Sequence, residues 1–297
     1  MNLRKQLALF LALALSVAGF YIFRNQQGSD RYNDAVQALL ASDIDNAGEV
    51  FGNLALDGDL KGIYGAAWVA YLQGEYDKAG LWSDHVESNA KGSLKAAALY
   101  LQGLIDIRFD MFERARLRLT TSREIYANKG KEDDVFRCQL VLARIALYSG
   151  KLEQILLIGE GLPKDKTANS AEYHLIFGQL YYGMNDLRKA KESLNKAISL
   201  FRESRDIPGE SRALSELGWQ LILSGKHEEG MDLTSQAIEI MKVEGESIWH
   251  SLNVFAYERC KGFSSKIEKK ITSHIMNSGD KMVLRAYNLV NEKCKDN

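Results

Sequence analysis

The sequence predicts an all-α protein: a right-handed α-solenoid of about six helical hairpins, with a C-terminal helical cap and an N-terminal transmembrane helix. Three observations predict this architecture. Only 2 of the 297 residues are proline, against a usual share of about 5%, and proline breaks helix interiors. Small residues recur at fixed steps along the chain. One uncharged apolar run lies near the N-terminus, from Leu7 to Phe23.

The overall composition is that of a folded protein without an excess of either charge. Apolar residues make up 46% and charged residues 26% of the chain, which is ordinary for globular proteins. The 38 basic and 39 acidic residues nearly cancel. Because nucleic-acid-binding domains carry a basic excess, we expect no nucleic-acid partner.

The N-terminal apolar run predicts a membrane anchor. Its 17 residues would form a helix of about 26 Å, just enough for the hydrocarbon core of a bilayer. Residues 1–25 are therefore predicted to be an uncleaved signal anchor. A cleaved secretory signal is an alternative, because Ser16, Val17 and Ala18 offer small residues for cleavage. A buried N-terminal helix is the other alternative.

The basic residues at the N-terminus predict the orientation of the anchor. Arg4 and Lys5 precede the run, and such residues tend to stay in the cytoplasm. We therefore expect a single-pass protein of the bacterial inner membrane, with its C-terminal domain in the periplasm. Arg24 and Arg31 weaken the charge asymmetry, so an inverted anchor with cytoplasmic display stays open.

Small residues define the repeat. In the segment Phe177–Leu200, Gly178 is followed by Ala190 and Ala197, at steps of 12 and 7 residues. The first positions of all copies are separated by 32, 36, 40, 35 and 40 residues, and a period of 20 to 50 residues is typical of a solenoid. The other triplets are Ala35–Ala47–Leu54, Ala67–Ala79–Val86, Gly103–Ala115–Ser122, Ala143–Ile155–Leu162 and Gly218–Gly230–Ala237.

Five of the six copies also carry a turn residue seven positions after their first small residue. Glycine, asparagine or aspartate at such a position can end a helix and reverse the chain. Each copy is therefore predicted to be a helical hairpin, in which the small residues allow two helices to cross closely. Ile155 is large where the other copies are small, which predicts a distorted fourth hairpin. The turn residues are Gly74, Asp110, Gly150, Asn185 and Gly225.

The pattern resembles the tetratricopeptide repeat. The copy that starts at Gly178 matches it closely, with Tyr181, Asn185, Leu187, Ala190, Leu194 and Ala197 in the expected places. The resemblance covers roughly residues 31–245 and implies a solenoid domain there. The remaining residues, 246–297, are predicted to form a helical cap, because a solenoid needs an end unit with one polar face.

The resemblance implies a concave groove lined by the first helix of each hairpin. Aromatic and arginine side chains are common at the implied positions and are favoured anchors at interfaces. An apolar groove suits an amphipathic helix or an extended peptide. The alternative is that these side chains pack against neighbouring helices and expose little. The predicted groove residues are Tyr64, Trp68, Tyr71, Tyr100, Leu104, Arg137, Arg144, Gln179, Tyr182, Arg212 and Trp219.

No residue pattern in the chain indicates catalysis. The five histidines are scattered without the spacing of metal ligands, and phosphate-binding loops and nucleophile elbows are absent from the sequence. We therefore predict no catalytic residue, metal or cofactor, and no enzyme. Cys260 and Cys294 both lie in the C-terminal segment, and an exported protein could join them in a disulfide.

The predicted function is that of a non-enzymatic, membrane-anchored scaffold or adaptor. Its groove would bind a protein or peptide partner in envelope assembly, secretion, pilus biogenesis or quality control, within a multiprotein envelope complex. Two alternatives stay open. The first is an accessory or regulatory subunit of an envelope enzyme, and the second is a peptide-sensing regulator.

Overall fold

The structure is a computed structural model that describes residues 30–40 and 43–244, together with positions 272–273, 275–276, 284 and 287–288. All regular secondary structure in this part of the chain is helical. The predicted signal anchor at 1–25 lies outside the described residues. So do nearly all of the predicted cap at 246–297 and both cysteines of the predicted disulfide.

Thirteen helices lie in the described residues between 30 and 244, and twelve of them pair into the six predicted hairpins. The pairs are α1–α2, α3–α4, α5–α6, α7–α8, α10–α11 and α12–α13, while α9 is a short helix between the fourth and fifth pairs. The helices are α1 (Asp30–Leu40), α2 (Ile44–Leu56), α3 (Leu60–Leu72), α4 (Tyr76–Asn89), α5 (Gly92–Arg108), α6 (Phe112–Ala127), α7 (Glu132–Tyr148), α8 (Leu152–Glu160), α9 (Lys164–Ala168), α10 (Ala171–Gly183), α11 (Leu187–Ser204), α12 (Ile207–Leu223) and α13 (His227–Glu244).

The predicted turn residues adopt the left-handed backbone conformation. Their φ angles are 78° at Gly74, 63° at Asp110, 68° at Gly150, 61° at Asn185 and 85° at Gly225. In each turn the following residue donates its backbone N–H to a carbonyl five residues earlier, as Glu75 does to Ala70 at 2.8 Å. This hydrogen bond satisfies a carbonyl at the end of the first helix. The turn predictions for these five hairpins are confirmed.

Small residues lie at the helix crossings, as the repeat predicts. Ala67, Ala79, Ala143 and Ala197 have no exposed surface. A Cβ atom added to Gly178 would lie 2.6 Å from Cγ of Leu194 on the partner helix. Such a separation is too short for two carbon atoms, so a larger residue there would push the helices apart.

The fourth hairpin departs from the others, as Ile155 predicts. Its second helix, α8, has only 9 residues, whereas the second helices of the other hairpins have 13 to 18. Ile155 is fully buried on α8. The helix ends before Pro163, whose ring and missing N–H oppose further helix.

The chain forms two compact units. Residues 30–107 and 111–164 belong to the first unit, and residues 108–110 and 165–244 belong to the second. Within the second unit, Leu194, Phe201, Leu214 and Leu217 belong to one apolar core. That core is built by α10 to α13.

The predicted localisation in the bacterial inner membrane, with a periplasmic body, is wrong. Among the described residues, no helix combines the length and the apolar character that crossing a bilayer requires. The longest described helices, α11 and α13, have 18 residues and carry charged side chains throughout, whereas a spanning helix needs about 20 mainly apolar residues. The segment 7–23, on which the prediction rested, lies outside the described residues.

Candidate functional site

The predicted groove residues all lie on the first helices of their hairpins. In the first unit they are on α3, α5 and α7, and in the second unit they are on α10 and α12. The two sets differ in exposure. Most of the first set is buried, whereas all four residues of the second set are partly exposed.

The aromatic residues of α3 are part of the core of the first unit. Tyr64, Trp68 and Tyr71 are only 1–2% exposed. Their rings pack edge to face, with centroids 6.3 Å apart between Tyr64 and Trp68 and 5.7 Å apart between Trp68 and Tyr71, a preferred arrangement of aromatic pairs. Tyr100 and Leu104 on α5 are buried as well.

Burial also sets the electrostatics of this part of the first unit. It raises the pKa of the Tyr100 phenol to about 12, and it raises the pKa of Tyr64 well above its ordinary value. The nearby positive charge of Arg137 opposes both shifts. Arg137 forms an ion pair with Asp134 on the same helix. The buried phenols therefore stay neutral at physiological pH.

The two arginines of α7 are the members of the first set with some exposed surface. Arg137 and Arg144 are both partly buried, and both influence Tyr100 electrostatically. They lie seven residues apart, which places them on one face of the helix.

A polar network joins α10 and α12 in the second unit. The side-chain amide of Gln179 donates to Oε2 of Glu216 at 2.8 Å, and the amide of Gln220 donates to Oε1 of the same carboxylate at 2.9 Å. Gln179 and Glu216 are partly exposed. The network therefore presents a carboxylate at the surface where the first helices of two neighbouring hairpins meet.

Aromatic side chains flank this network. Trp219 lies one turn beyond Glu216 on α12 and is partly exposed. Tyr182 lies on α10, where burial and the negative charge of Glu216 raise the pKa of its phenol. Rings beside a carboxylate can pack on the apolar part of a ligand while its polar part reaches the charge.

Arg212 completes the set by an ion pair across the same two helices. Its guanidinium contacts the carboxylate of Glu172 on α10. About a third of the Arg212 side chain is exposed, against a fifth for Glu172. The pair fixes α12 against α10 and neutralises both charges.

The sequence contained two signals that the groove prediction did not use. The segment Ile63–Leu72 of α3 is apolar on all sides, and a helix that is hydrophobic all round is buried all round. Glu172, Glu216 and Gln220 lie outside the implied groove positions, although Arg212, Glu216 and Gln220 recur at four-residue spacing. Side chains four residues apart on a helix are neighbours, so this spacing indicates a polar face.

Comparison with known proteins finds similarity in fold but not in sequence. No known protein family matches the sequence, and no curated protein matches it either. A Rap protein solved in complex with competence and sporulation factor matches over 97% of this chain and 98% of its own, with a TM-score of 0.69 at 10% identity. The apo form of the quorum sensor NprR from B. thuringiensis matches over 93% and 87%, with a TM-score of 0.60 at 16% identity. The fold is therefore of the tetratricopeptide-like helical-repeat type.

Proposed function

We propose that this protein is a non-enzymatic regulator that binds a short peptide, or an extended segment of a partner protein, on the first helices of its hairpins. The surface shared by α10 and α12 carries the proposal, because it joins partly exposed aromatic rings to a preorganised polar network. Interfaces use such rings and arginines as anchors. The fold likeness to a protein solved with a bound factor and to a quorum sensor supports a sensing role.

The proposal gives the predicted groove residues two different roles. The partly exposed residues of α10 and α12 would contact the ligand, whereas the buried aromatic residues of α3 and α5 would hold the first helices of their own unit in place. The proposed contact residues are Gln179, Tyr182, Arg212 and Trp219, all in the second unit.

Trp219 provides the direct test. Purified full-length protein is screened against an array of short peptides. Its affinity for each peptide that binds it is then measured by fluorescence anisotropy. We expect Trp219→Ala to weaken binding by at least tenfold, as loss of an aromatic anchor does. Ligand binding should also raise the melting temperature of the wild-type protein, because only the folded state binds.

Trp82→Ala is the matched control. Trp82 lies on the second helix α4, where the ammonium of Lys78 sits 4.8 Å from its ring centroid. We expect this variant to bind peptides like the wild type. Equal binding by the wild type and Trp219→Ala would contradict the assignment of the surface, and absence of peptide binding by the wild type would contradict the function.

A further inference from the structure

We infer that Glu216 binds the basic side chain of a lysine or arginine in the peptide ligand. The inference rests on the proposed function and names the ligand chemistry that the function leaves open. It follows from the charge of the surface shared by α10 and α12, and from the way the Glu216 carboxylate is held there.

The carboxylate of Glu216 is fixed but not neutralised. Its two oxygens accept hydrogen bonds from the amides of Gln179 and Gln220, at 2.8 and 2.9 Å. Both amides are uncharged, and no cationic group of the described residues pairs with Glu216. The carboxylate is therefore oriented without loss of its charge, and each oxygen keeps capacity for a further donor.

Every other charge of α10 and α12 in the described residues has an opposite partner. Glu172 pairs with Arg212, and Glu210 pairs with Arg202 of α11 at 2.6 Å. Apart from Glu216, these are the carboxylates of the two helices. Their basic side chains are Arg212 and His174, and burial lowers the pKa of the His174 imidazole, which disfavours its charged form. Among the described residues, the surface thus carries one negative charge without an opposite partner, in a partly exposed position where an incoming cation is complementary.

The neighbouring rings suit a long basic side chain. Trp219 lies one turn from Glu216, and Tyr182 lies close enough on α10 for the two groups to interact electrostatically. Lysine and arginine have apolar stems that pack on apolar surface, and their cationic ends are attracted to aromatic faces. A neutral polar side chain would gain neither the ion pair nor the attraction to the rings.

The test compares peptides that differ in one charge. N-acetylated, C-amidated hexapeptides retained in the array screen are resynthesised with lysine, arginine, glutamine or glutamate at each position in turn. We expect the wild type to bind the lysine or arginine version at one position about tenfold more tightly than the glutamine version, as for a partly desolvated ion pair. We expect Glu216→Gln to remove that preference.

Two further variants control for charge and folding. Glu228→Gln removes an exposed carboxylate from α13 and should keep the preference. Glu216→Asp keeps the charge and should keep a reduced preference, even if Glu216→Gln perturbs folding. Thermal melting of all variants accompanies the binding measurements.

The outcomes separate this inference from the proposed function. Peptide binding without a preference for a basic residue, or a preference that survives Glu216→Gln, overturns the inference and leaves the function standing. Absence of binding to any peptide overturns both. Each peptide is also made with a free amino terminus. Binding restricted to that form, and lost in Glu216→Gln, overturns the assignment to a side chain, because the terminal ammonium group would then be the cation.

Discussion

Gly218 and Gly230 approach each other across the α12–α13 hairpin at a distance that no side chain permits. A Cβ atom on Gly218 would lie 2.8 Å from the carbonyl oxygen of Gly230, and one on Gly230 would lie 2.5 Å from the carbonyl oxygen of Gly218. At Gly178 the atoms met first belong to the side chain of Leu194. A side chain can rotate away, but a backbone carbonyl moves only with its helix.

This difference predicts an order of stability among alanine variants. We expect Gly178→Ala to lower the free energy of unfolding by about 1–2 kcal/mol and Gly218→Ala by about 3 kcal/mol, since overpacking costs more where the backbone must shift. Gly52→Ala is the control, because a Cβ there meets nothing within 4 Å and alanine favours helix by up to about 1 kcal/mol. Urea unfolding measures all three, and equal losses for Gly52 and Gly218 would contradict the close-crossing explanation.

Buried phenols predict a loss of stability in alkaline solution. Burial raises the pKa of Tyr100 from 10.0 to about 12, so the folded state holds this proton more tightly than the unfolded state. The contribution of this protonated phenol to the free energy of unfolding is complete below pH 10. It is lost as the pH rises to about 12, and each such group lowers the free energy of unfolding by about 1.4 kcal/mol per pH unit in that range. Tyr64 and Tyr126, whose pKa values are also raised by burial, should add to this slope.

Denaturant unfolding between pH 9 and 11.5 checks this prediction. We expect Tyr100→Phe to make the decline of the unfolding free energy with pH less steep, because the variant lacks one of the buried phenols. Tyr148→Phe, at a partly exposed position of α7, is the matched control. If the unfolding free energy of Tyr100→Phe declined with pH as steeply as that of the wild type, Tyr100 would have the same pKa in the folded and unfolded states.

At the scale of helices, the hairpins could be predicted because they depend on local sterics. A glycine, asparagine or aspartate that tolerates positive φ fixes each turn, and small residues at fixed distances from it fix each crossing. The exposure of the first helices could not be predicted in the same way, because it depends on how one hairpin packs on the next and not on local sterics. Trp68 and Trp219 occupy equivalent repeat positions, yet Trp68 is 2% exposed and Trp219 lies partly at the surface.

One ion-pair cluster holds α5 against α6. Asp106 is fully buried on α5 and accepts hydrogen bonds from Nε of Arg114 and Nη1 of Arg118, both at 2.8 Å. The Arg118 side chain is only 24% exposed, so loss of the carboxylate leaves a largely buried guanidinium without this partner, whereas the side chain of Arg114 is about half exposed to solvent. We expect Asp106→Ala to lower the free energy of unfolding by about 2–4 kcal/mol.

An exposed ion pair serves as the comparison for Asp106. Glu75 and Lys78 are both about half exposed and lie 3.0 Å apart, and such pairs contribute less than about 1 kcal/mol. Glu75→Ala should therefore change the urea midpoint little. Equal effects of the two substitutions would mean that the Asp106 cluster contributes no more than a surface pair.

At the scale of the whole molecule, the strongest helix contacts join sequence neighbours. Within the second unit, α12 contacts α11 and α13 closely and α10 more weakly. Stability in such an array is approximately a sum of the stability of each repeat and of its contacts with the adjacent repeats. A local defect should therefore open the structure locally before the rest of the chain unfolds.

Hydrogen exchange of Gly218→Ala tests this local behaviour. A loss of about 3 kcal/mol confined to the α12–α13 hairpin would speed amide exchange there by roughly a hundredfold. We expect a smaller increase in α10 and α11, and no change in α3 to α6 of the first unit. Mass spectrometry of peptic fragments resolves these helices, with Gly52→Ala as the reference. A uniform increase across both units would show instead that the described residues open in one cooperative step, because only global unfolding exposes all amides to the same extent.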